Sequence, residues 1–405
     1  VFFQAEDGIR DRSPSRGLGD VYKRQALDDH DPRTISIYTT PTFGRAKSQE
    51  TNIPIQENLI ELPILFVGEE DGAFDPNDRI IFYAQGPSGF DISQNLAKWS
   101  QNLYFNTSKY WLFIPDDNSI LGKRVPVSTD PDLIELTLDY GISYIQKEID
   151  LVNPDLSGLK WYGQMVKNGS TQIISTDTPN GKLEVDSYVE IKIKGNSLSG
   201  SSSTYHSVEL YANLINQNKI GNSVSWTGSG ERTISGTIPN QYLNQINNNF
   251  FVSNLSSDNN SSPLIDYLYF RYGRKLIFNS ENLEFFSPIK NTGLRFSFAN
   301  ELSEDCLAFD ISLPHAPKQI KIKSDNKIEV QSPENSIGRY VVFNKNEIDS
   351  VNNLVHHENF AFSKISNFSS RATYIIIGPE KFAETAQPLI HLRMPAGYVY
   401  LYQRS

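Results

Sequence analysis

The side chain best suited to nucleophilic chemistry in this sequence is its single cysteine, Cys306, which His315 follows closely. A histidine beside a cysteine can withdraw the thiol proton and leave the reactive thiolate near neutral pH. The residues that precede Cys306, however, are Glu304 and Asp305, and neighbouring carboxylates disfavour a thiolate. We therefore predict an unreactive structural cysteine, with a Cys306–His315 pair as the alternative.

A second candidate is a metal site at His356, His357 and Glu358. Adjacent residues on a strand point to opposite faces, so the two imidazoles would converge on one ion only if this segment were a loop. We predict no metal here, and no cofactor anywhere in the chain.

Carboxylates are concentrated between residues 69 and 78, where oxygen ligands could gather around calcium. Their spacing fits no standard calcium loop, and the Asp-Gly and Asp-Pro-Asn sequences among them are ordinary turn formers. We expect a turn and keep calcium as the alternative. The calcium candidates are Asp71, Asp75 and Asp78, with Glu69 and Glu70 beside them.

Aromatic residues in two segments could stack against sugar rings: Trp161-Tyr162, and the alternating aromatics of residues 267–272. Alternating aromatics on a half-buried strand are more often part of a core, which is the interpretation we favour. A contiguous exposed patch would instead indicate binding. Strand alternation predicts that two pairs face opposite sides, namely Tyr267 with Tyr269 and Phe270 with Tyr272.

The elements that must position these residues are predominantly strands. Short, alternating or β-branched segments recur along residues 26–365 and are separated by polar turns, a pattern typical of antiparallel sandwiches. Two polar stretches, residues 195–204 and 253–262, are expected at the ends of a sandwich. The predicted strands include residues 34–39, 62–67, 79–84, 109–114, 185–194, 205–214, 293–298 and 338–343.

The two ends of the chain differ from the rest. Residues 1–25 resemble a translated sequencing adapter and show no hydrophobic period, so we expect an artefact without order. At residues 372–378 a continuous apolar run is followed by helix-like spacing to Arg393. A buried strand leading into a helix is how an α/β domain begins. Pro388 should bend or end that helix, and residues 394–405 need not belong to it.

Composition limits the function classes. The chain of 405 residues carries 37 Lys+Arg and 47 Asp+Glu, a net charge of −10, which disfavours nucleic acid and anionic membranes as partners. No apolar run reaches the roughly 18 residues that a transmembrane helix needs. One cysteine excludes an intrachain disulfide framework.

Several segments, in order, resemble the N-terminal region of gingipain-type cysteine peptidases, in particular the PorU-like sortases of the type IX secretion system. The resemblance covers residues 34–393. The segments are residues 62–86 (LPILFVGEEDGAFDPNDRIIFYAQG), 157–164 (SGLKWYGQ), 266–276 (DYLYFRYGRKL), 307–314 (LAFDISLP) and 372–393.

This resemblance implies tandem antiparallel β-sandwich modules followed by the truncated first strand and helix of a caspase-like α/β domain. It implies an exported bacterial protein, at the cell surface or outside the cell, whose partners are proteins with C-terminal sorting domains and an outer-membrane secretion component. The catalytic Cys and His would lie beyond this chain, so no catalytic residue is assigned and the fragment itself should be inactive. The expected domains are 1–25 (adapter), 26–125 (β), 126–290 (jelly-roll-like sandwich), 291–365 (β module or linker) and 366–405 (start of the peptidase domain).

Two alternatives remain open. The same sandwiches could build a non-enzymatic surface adhesin or carbohydrate-binding protein, in which case further β modules would follow. A secretion component could also keep the caspase-like fold without its Cys or His.

Overall fold

The computed structural model describes most of the chain between residues 31 and 351, together with short segments outside it. Two units are distinguished, residues 1–356 and 357–405. The described residues are 2–5, 14–16, 31–41, 59–75, 78–93, 95–102, 106–115, 120–156, 160–279, 282–351, 354–357, 375–379, 384–385, 387–388 and 399–403.

The first unit is built around a β-sandwich, which confirms the predicted mainly-β class. One layer, the large sheet, is antiparallel and contains strands from the middle and the end of this unit. In spatial order its strands are β16 (Glu231–Ile238), β13 (Ser187–Lys194), β18 (Leu264–Lys275), β11 (Tyr140–Glu148), β19 (Leu283–Phe286), β25 (Arg339–Asn344), β21 (Cys306–Asp310) and β22 (Lys318–Ile320).

The second layer of the sandwich, the small sheet, packs on the half of the large sheet that contains β13 and β18. Alternation explains the fit, because Val189, Ile191 and Ile193 of β13 are fully buried between the layers while their neighbours face outward. Val208 and Leu210 of the small sheet belong to the same hydrophobic cluster. The strands of the small sheet are, in order, β12 (Thr171–Asp177), β17 (Asn247–Asn254), β14 (Tyr205–Ala212) and β15 (Lys219–Thr227).

The other half of the large sheet packs against a third sheet. Phe285, Phe296 and Tyr340 lie in its core, with ring centroids 5.0 to 5.7 Å apart. Two of its strands, β10 (Leu136–Leu138) and β20 (Gly293–Ser297), are parallel neighbours. In the chain β10 precedes β11, whereas the other three strands of this sheet lie between β19 and β25. Its strands are, in order, β10 (Leu136–Leu138), β20 (Gly293–Ser297), β24 (Lys327–Gln331) and β23 (Ile322–Lys323). The domain boundaries predicted at 125, 290 and 365 stay predictions.

Two further sheets contain the strands predicted near the N-terminus. Ile35, Leu62 and Ile80 are buried together between them. Residues 62–67 form two strands rather than one, since Pro63 lies between them and cannot donate to a ladder. One sheet has the order β27 (Leu354–His357), β1 (Phe2–Ala5), β9 (Tyr110–Phe113), β3 (Ser36–Thr39), β4 (Ile60–Leu62). The other has the order β26 (Asp349–Ser350), β2 (Pro14–Arg16), β6 (Arg79–Tyr83), β5 (Leu65–Val67).

The strands β1 and β2 fall within residues 1–25, for which we expected no order. Phe2–Ala5 pairs with β9, and Pro14–Arg16 pairs with β6. The expectation for residues 1–25 as a whole stays a prediction. Single 3-10 turns complete this unit among the described residues, at Pro32–Thr34, Glu69–Asp71 and Asn240–Tyr242.

A hairpin of β7 (Gly89–Ser93) and β8 (Leu96–Ser100) covers part of the outer face of the large sheet. Phe90 inserts between Trp99 and Tyr144, with centroid distances of 5.1 and 5.6 Å. Arg339, fully buried, donates to the Phe90 carbonyl at 3.2 Å and pairs with Glu284 at 2.9 Å. This fastens the hairpin to the sheet.

In the second unit, β28 (Ile375–Pro379) and β29 (Val399–Gln403) pair in parallel. Parallel neighbours require a crossover between them, and residues 384–385 and 387–388 within it are helical. This order of strand, helical residues and parallel strand is the one expected of an α/β unit. The rest of the predicted helix lies outside the described residues. Within the described residues, no helix is long and apolar enough to cross a membrane.

Candidate functional site

A concave surface, which we call the acidic groove, lies on the outer face of the large sheet beside the β7–β8 hairpin. It consists of two cavities of about 510 and 700 Å³ that share Gln101, Glu148 and Asp266 as lining residues. The hairpin forms one wall through Leu96, Lys98 and Trp99, among others. Its floor is formed by outward-facing residues of β11, β13 and β18.

Strand alternation decides which aromatic residues reach the groove. On β18, Phe270 and Tyr272 are buried in the sandwich core, whereas Tyr267 and Tyr269 face the opposite side and line the groove. The prediction that the two pairs face opposite sides is what the structure shows. The preference for a core role holds for one pair only.

Tyr267 and Tyr269 are anchored rather than free. The Tyr267 hydroxyl donates to Glu190 Oε1 at 2.8 Å, and the Tyr269 hydroxyl donates to the Ala97 carbonyl in the hairpin at 2.9 Å. Burial, followed by the Glu190 carboxylate, raises the pKa of Tyr267; burial is also the main cause of the raised pKa of Tyr269. Both hydroxyls therefore stay protonated as donors at neutral pH.

A bulge on β18 brings an additional carboxylate into the groove. The register between β13 and β18 shifts between Lys192 and Ile193, so that Asp266 is the extra residue. A bulge turns a side chain away from strict alternation, and here the consecutive residues Asp266 and Tyr267 both line the groove.

Asp266 belongs to an ion network centred on Lys192. The Lys192 Nζ lies 3.0 Å from Asp266 Oδ2 and 3.0 Å from Glu231 Oε2, and the Tyr162 hydroxyl donates to Glu231 Oε1 at 2.8 Å. Burial alone would lower the pKa of Lys192, but its two carboxylate partners outweigh burial and raise it. Hydrogen bonds from Lys192 and Tyr162 lower the pKa of Glu231.

Other carboxylates of the groove are less well compensated. Burial is the main cause of the raised pKa of Glu148, and the nearby charges of Asp266 and Asp150 raise it further. Burial also raises the pKa of Asp266 despite its ion pair. The groove thus holds negative charge that its own cations neutralise only in part. Its carboxylates are Glu148, Asp150, Asp186, Glu190, Glu231 and Asp266, and its cations are Lys98, Lys160, Lys192 and Arg271.

Trp161 and Tyr162 have different environments although they are adjacent. Tyr162 is buried, and its backbone pairs with Val152 in both directions. Lys194 lies over its ring, 5.5 Å from the centroid. Trp161 is 44% exposed at the rim of the groove. Of the predicted aromatic pair, one residue is therefore buried and the other is partly exposed at the rim.

Cys306 is not placed as a nucleophile. It opens β21 with 6% exposure, in a cluster with Leu302, Ala308 and Ile320, and its Sγ is 3.4 Å from Ser303 Oγ. His315 is absent from the described residues that line the depression beside Cys306. The neighbouring Asp305 is paired with Lys345 at 2.9 Å.

Two of the calcium candidates accept hydrogen bonds from backbone amides of a turn. Asp71 accepts from the Ala73 amide at 3.0 Å, and Asp78 accepts from the Asp75 amide at 2.8 Å. Gly68 has φ of +104°, and a Cβ there would lie 1.8 Å from Asp78 Oδ1, so only glycine fits. The nearby Glu69 pairs with Arg124 at 2.7 Å. This geometry is that of a turn.

His356 and His357 are the last residues of β27, while Glu358 lies outside the described residues. Among the described residues, no group of three or more His, Cys, Asp or Glu side chains is arranged to hold a metal ion.

A buried Ser–His pair exists elsewhere, between His206 and Ser261. Their Nδ1 and Oγ atoms are 2.8 Å apart, and the His206 ring packs on Trp226 at 4.8 Å. Both residues are at most 1% exposed, so no substrate reaches them. Burial lowers the pKa of His206, and a neutral ring is a suitable structural hydrogen-bonding group.

Comparison with known proteins gives a match at the level of structure. No protein-family model and no curated protein sequence matches the chain. The crystal structure of dimeric latent PorU from Porphyromonas gingivalis matches 100% of this chain, with a TM-score of 0.71 and 15% identity. The chain has a PorU-like fold. It spans 37% of the length of that PorU chain.

Partial matches involve carbohydrate-binding modules. A CBM36 domain of a xylanase from the hindgut metagenome of Trinervitermes trinervoides aligns with 32% of this chain and 95% of its own length, at 11% identity and a TM-score of 0.22. A family 35 module from Clostridium thermocellum aligns with 33% of this chain and 91% of its own, at 18% identity and a TM-score of 0.20. Scores this low carry no argument about the fold or ligands of this chain.

The groove residues that sequence analysis missed include Glu148, Lys192 and Glu231. One signal was available, since Tyr188, Glu190 and Lys192 alternate with the buried residues of β13 and had to share its outer face. Nothing in the sequence indicated that Glu148 and Glu231 would join them.

Proposed function

We propose that this chain forms the N-terminal accessory β region of an exported gingipain-type cysteine endopeptidase, most specifically a PorU-like sortase that removes C-terminal sorting domains from type IX secretion cargo. The observation that carries the proposal is the PorU-like fold over the whole chain. The parallel pair β28 and β29, with helical residues between them, supports it, because a caspase-like domain begins with such a unit.

In this role the β region positions a catalytic domain, shapes its cleft or docks to an outer-membrane partner, outside the cell or on its surface. In this proposal the β region supplies neither the nucleophile nor the base of the peptidase. Cys306 is buried in an apolar cluster, and His206 is enclosed between sheets. The peptidase Cys and His then belong to residues outside this chain.

The test is to sequence the source DNA beyond the codon for Arg393 and to express the longer protein with a cargo that carries a sorting domain. We expect alternating strands and helices, with a His near one strand end and a Cys near the next. Replacing that Cys by Ala should abolish cleavage, whereas Cys306→Ala, the matched control, should retain it.

Further β modules in place of strands and helices would contradict the proposal, as would loss of cleavage in Cys306→Ala while the protein remains folded. The alternative of a carbohydrate-binding surface protein would then gain weight. One specific observation favours that alternative, namely the exposed Trp161 ring at the rim of a groove.

A further inference from the structure

We propose that the acidic groove binds a segment of another protein that carries lysine or arginine side chains between apolar residues. The proposal concerns the outer face of the large sheet and does not depend on the peptidase assignment. Charge, aromatic surface and an apolar rim support it independently.

The charge of the groove favours a cationic occupant. Lys192 already pairs with Asp266 and Glu231 at 3.0 Å each, which leaves Glu148 and Asp150 as the negative groups that line the same cavity. Burial and the neighbouring carboxylates raise the pKa of Glu148, so its ionised form is disfavoured in the unbound protein. An ammonium or guanidinium group placed beside Glu148 would relieve that repulsion and form a charge-assisted hydrogen bond.

The aromatic residues suit the same occupant. Trp161 is exposed at the rim, and Trp99 and Tyr188 line the adjoining cavity. A cation over an aromatic ring is attracted by the ring quadrupole, most strongly over Trp. Aromatic rings interleaved with carboxylates therefore offer a cationic side chain both a face and a counter-ion.

Three exposed apolar residues, which we call the apolar rim, lie next to groove-lining residues in the chain. Ile149, Leu151 and Leu156 are 52%, 57% and 91% exposed; the first two flank Asp150 of the groove, and Leu156 follows them. Pairing of Val152 with Tyr162 holds their segment of the chain in place. Leu156 has φ of +48°, which is uncommon for a bulky residue. Exposed apolar residues grouped beside a polar cleft are typical of a protein-binding surface.

A neutral oligosaccharide fits these observations less well. Such a sugar could stack on the aromatic rings and hydrogen-bond to the amides of the groove. It would leave the excess carboxylate charge of the groove uncompensated, however. It also gives no account of the apolar rim. A basic peptide accounts for the carboxylates, the rings and the rim together.

The experiment measures binding to the full 405-residue chain by fluorescence anisotropy at low salt. The probe is a labelled peptide in which lysines alternate with leucines, and its matched probe replaces every lysine by glutamate. Labelled cellohexaose is the third probe. We expect only the lysine peptide to bind, more weakly as salt rises.

Single-residue variants show whether the peptide binds in the groove. We expect Glu148→Gln to weaken it about tenfold through loss of one charge-assisted contact, and Trp161→Ala to weaken it roughly two- to fivefold. The matched controls are Glu334→Gln and Tyr205→Ala, which change an exposed carboxylate and an exposed tyrosine away from the groove. Both should bind like the unmodified chain, and all four variants should keep its melting temperature within a few degrees.

Several outcomes would overturn the proposal. If Glu148→Gln and Glu334→Gln weakened binding of the lysine peptide equally, the peptide would be attracted nonspecifically to an acidic protein. Binding of the glutamate peptide as tight as that of the lysine peptide would remove the role of charge. Binding of cellohexaose that Trp161→Ala abolishes, without binding of the lysine peptide, would make the groove a carbohydrate site.

Discussion

The core of the sandwich and the acidic groove lie on the two sides of the same strands, yet they use similar residues in different ways. On β18, Phe270 is fully buried between the sheets and contacts Phe250 at 5.1 Å. Tyr267, on the other side, lines the groove and donates to Glu190. The comparison shows that aromatic content does not distinguish a core from a binding surface. What distinguishes them is whether a second layer of the protein packs over the rings.

The largest effect is expected when one aromatic ring is removed from the core side of β18 and, in a second variant, one from its groove side. We expect Phe270→Ala to lower the free energy of unfolding by about 3–5 kcal/mol, because it leaves a cavity in a closed core. Tyr267→Ala should cost about 1–2 kcal/mol, since its ring is half-buried and it loses one hydrogen bond. Urea denaturation measures both, and equal losses would contradict the assignment of sides.

Next in size is the ion pair beneath the hairpin. Arg339→Met leaves Glu284 buried without its cation, and removing one partner of a buried pair costs about 3–5 kcal/mol when relaxation is limited. The double variant Arg339→Met/Glu284→Leu should recover much of that loss. Thermal unfolding compares the single and double variants, and a double variant no more stable than Arg339→Met would show that packing, rather than charge, fastens the hairpin.

A smaller effect is expected where the groove floor meets the hairpin. Tyr269→Phe removes the hydrogen bond to the Ala97 carbonyl, which should cost about 1 kcal/mol and loosen the hairpin. Hydrogen exchange of the amides in β7 and β8 should increase, with those of β14 and β15 as the internal control. Uniform exchange changes across both regions would point to global destabilisation instead.

The smallest expected effect depends on pH. Because the folded pKa of Glu148 is raised by burial and by Asp266 and Asp150, its ionisation destabilises the folded state as pH rises through that pKa. Glu148→Gln should therefore raise the melting temperature at pH 7, and the gain should vanish near pH 4, where a free Glu is largely protonated. A gain that is independent of pH would mean that repulsion within the groove is not its cause.

Sequence patterns predicted the local elements well because they depend on neighbouring residues. Alternation in residues 185–194 indicated a strand, and Ser187–Lys194 is that strand, with Val189, Ile191 and Ile193 buried on one face. Asp-Gly and Asp-Pro-Asn indicated the turn that follows β5. The acidic context of Cys306 favoured a structural role, and its buried position agrees with that role.

The candidate site could not be predicted in the same way, because its residues come from strands far apart in the sequence. Glu148 ends β11, Glu231 begins β16, and Asp266 joins them through a bulge on β18. Which strands become neighbours depends on long-range hydrogen bonding and packing, which alternation does not encode.

By itself, the sequence determined that the chain is mainly β and where several of its strands lie, since period-two hydrophobicity is a local property. Tertiary structure alone decided that the β7–β8 hairpin covers the outer face of the large sheet, and that Glu148, Lys192 and Asp266 meet beside it. The physical reason is that a strand fixes only which two faces its side chains point to. Whether a face becomes a core or a groove is decided by what packs against it.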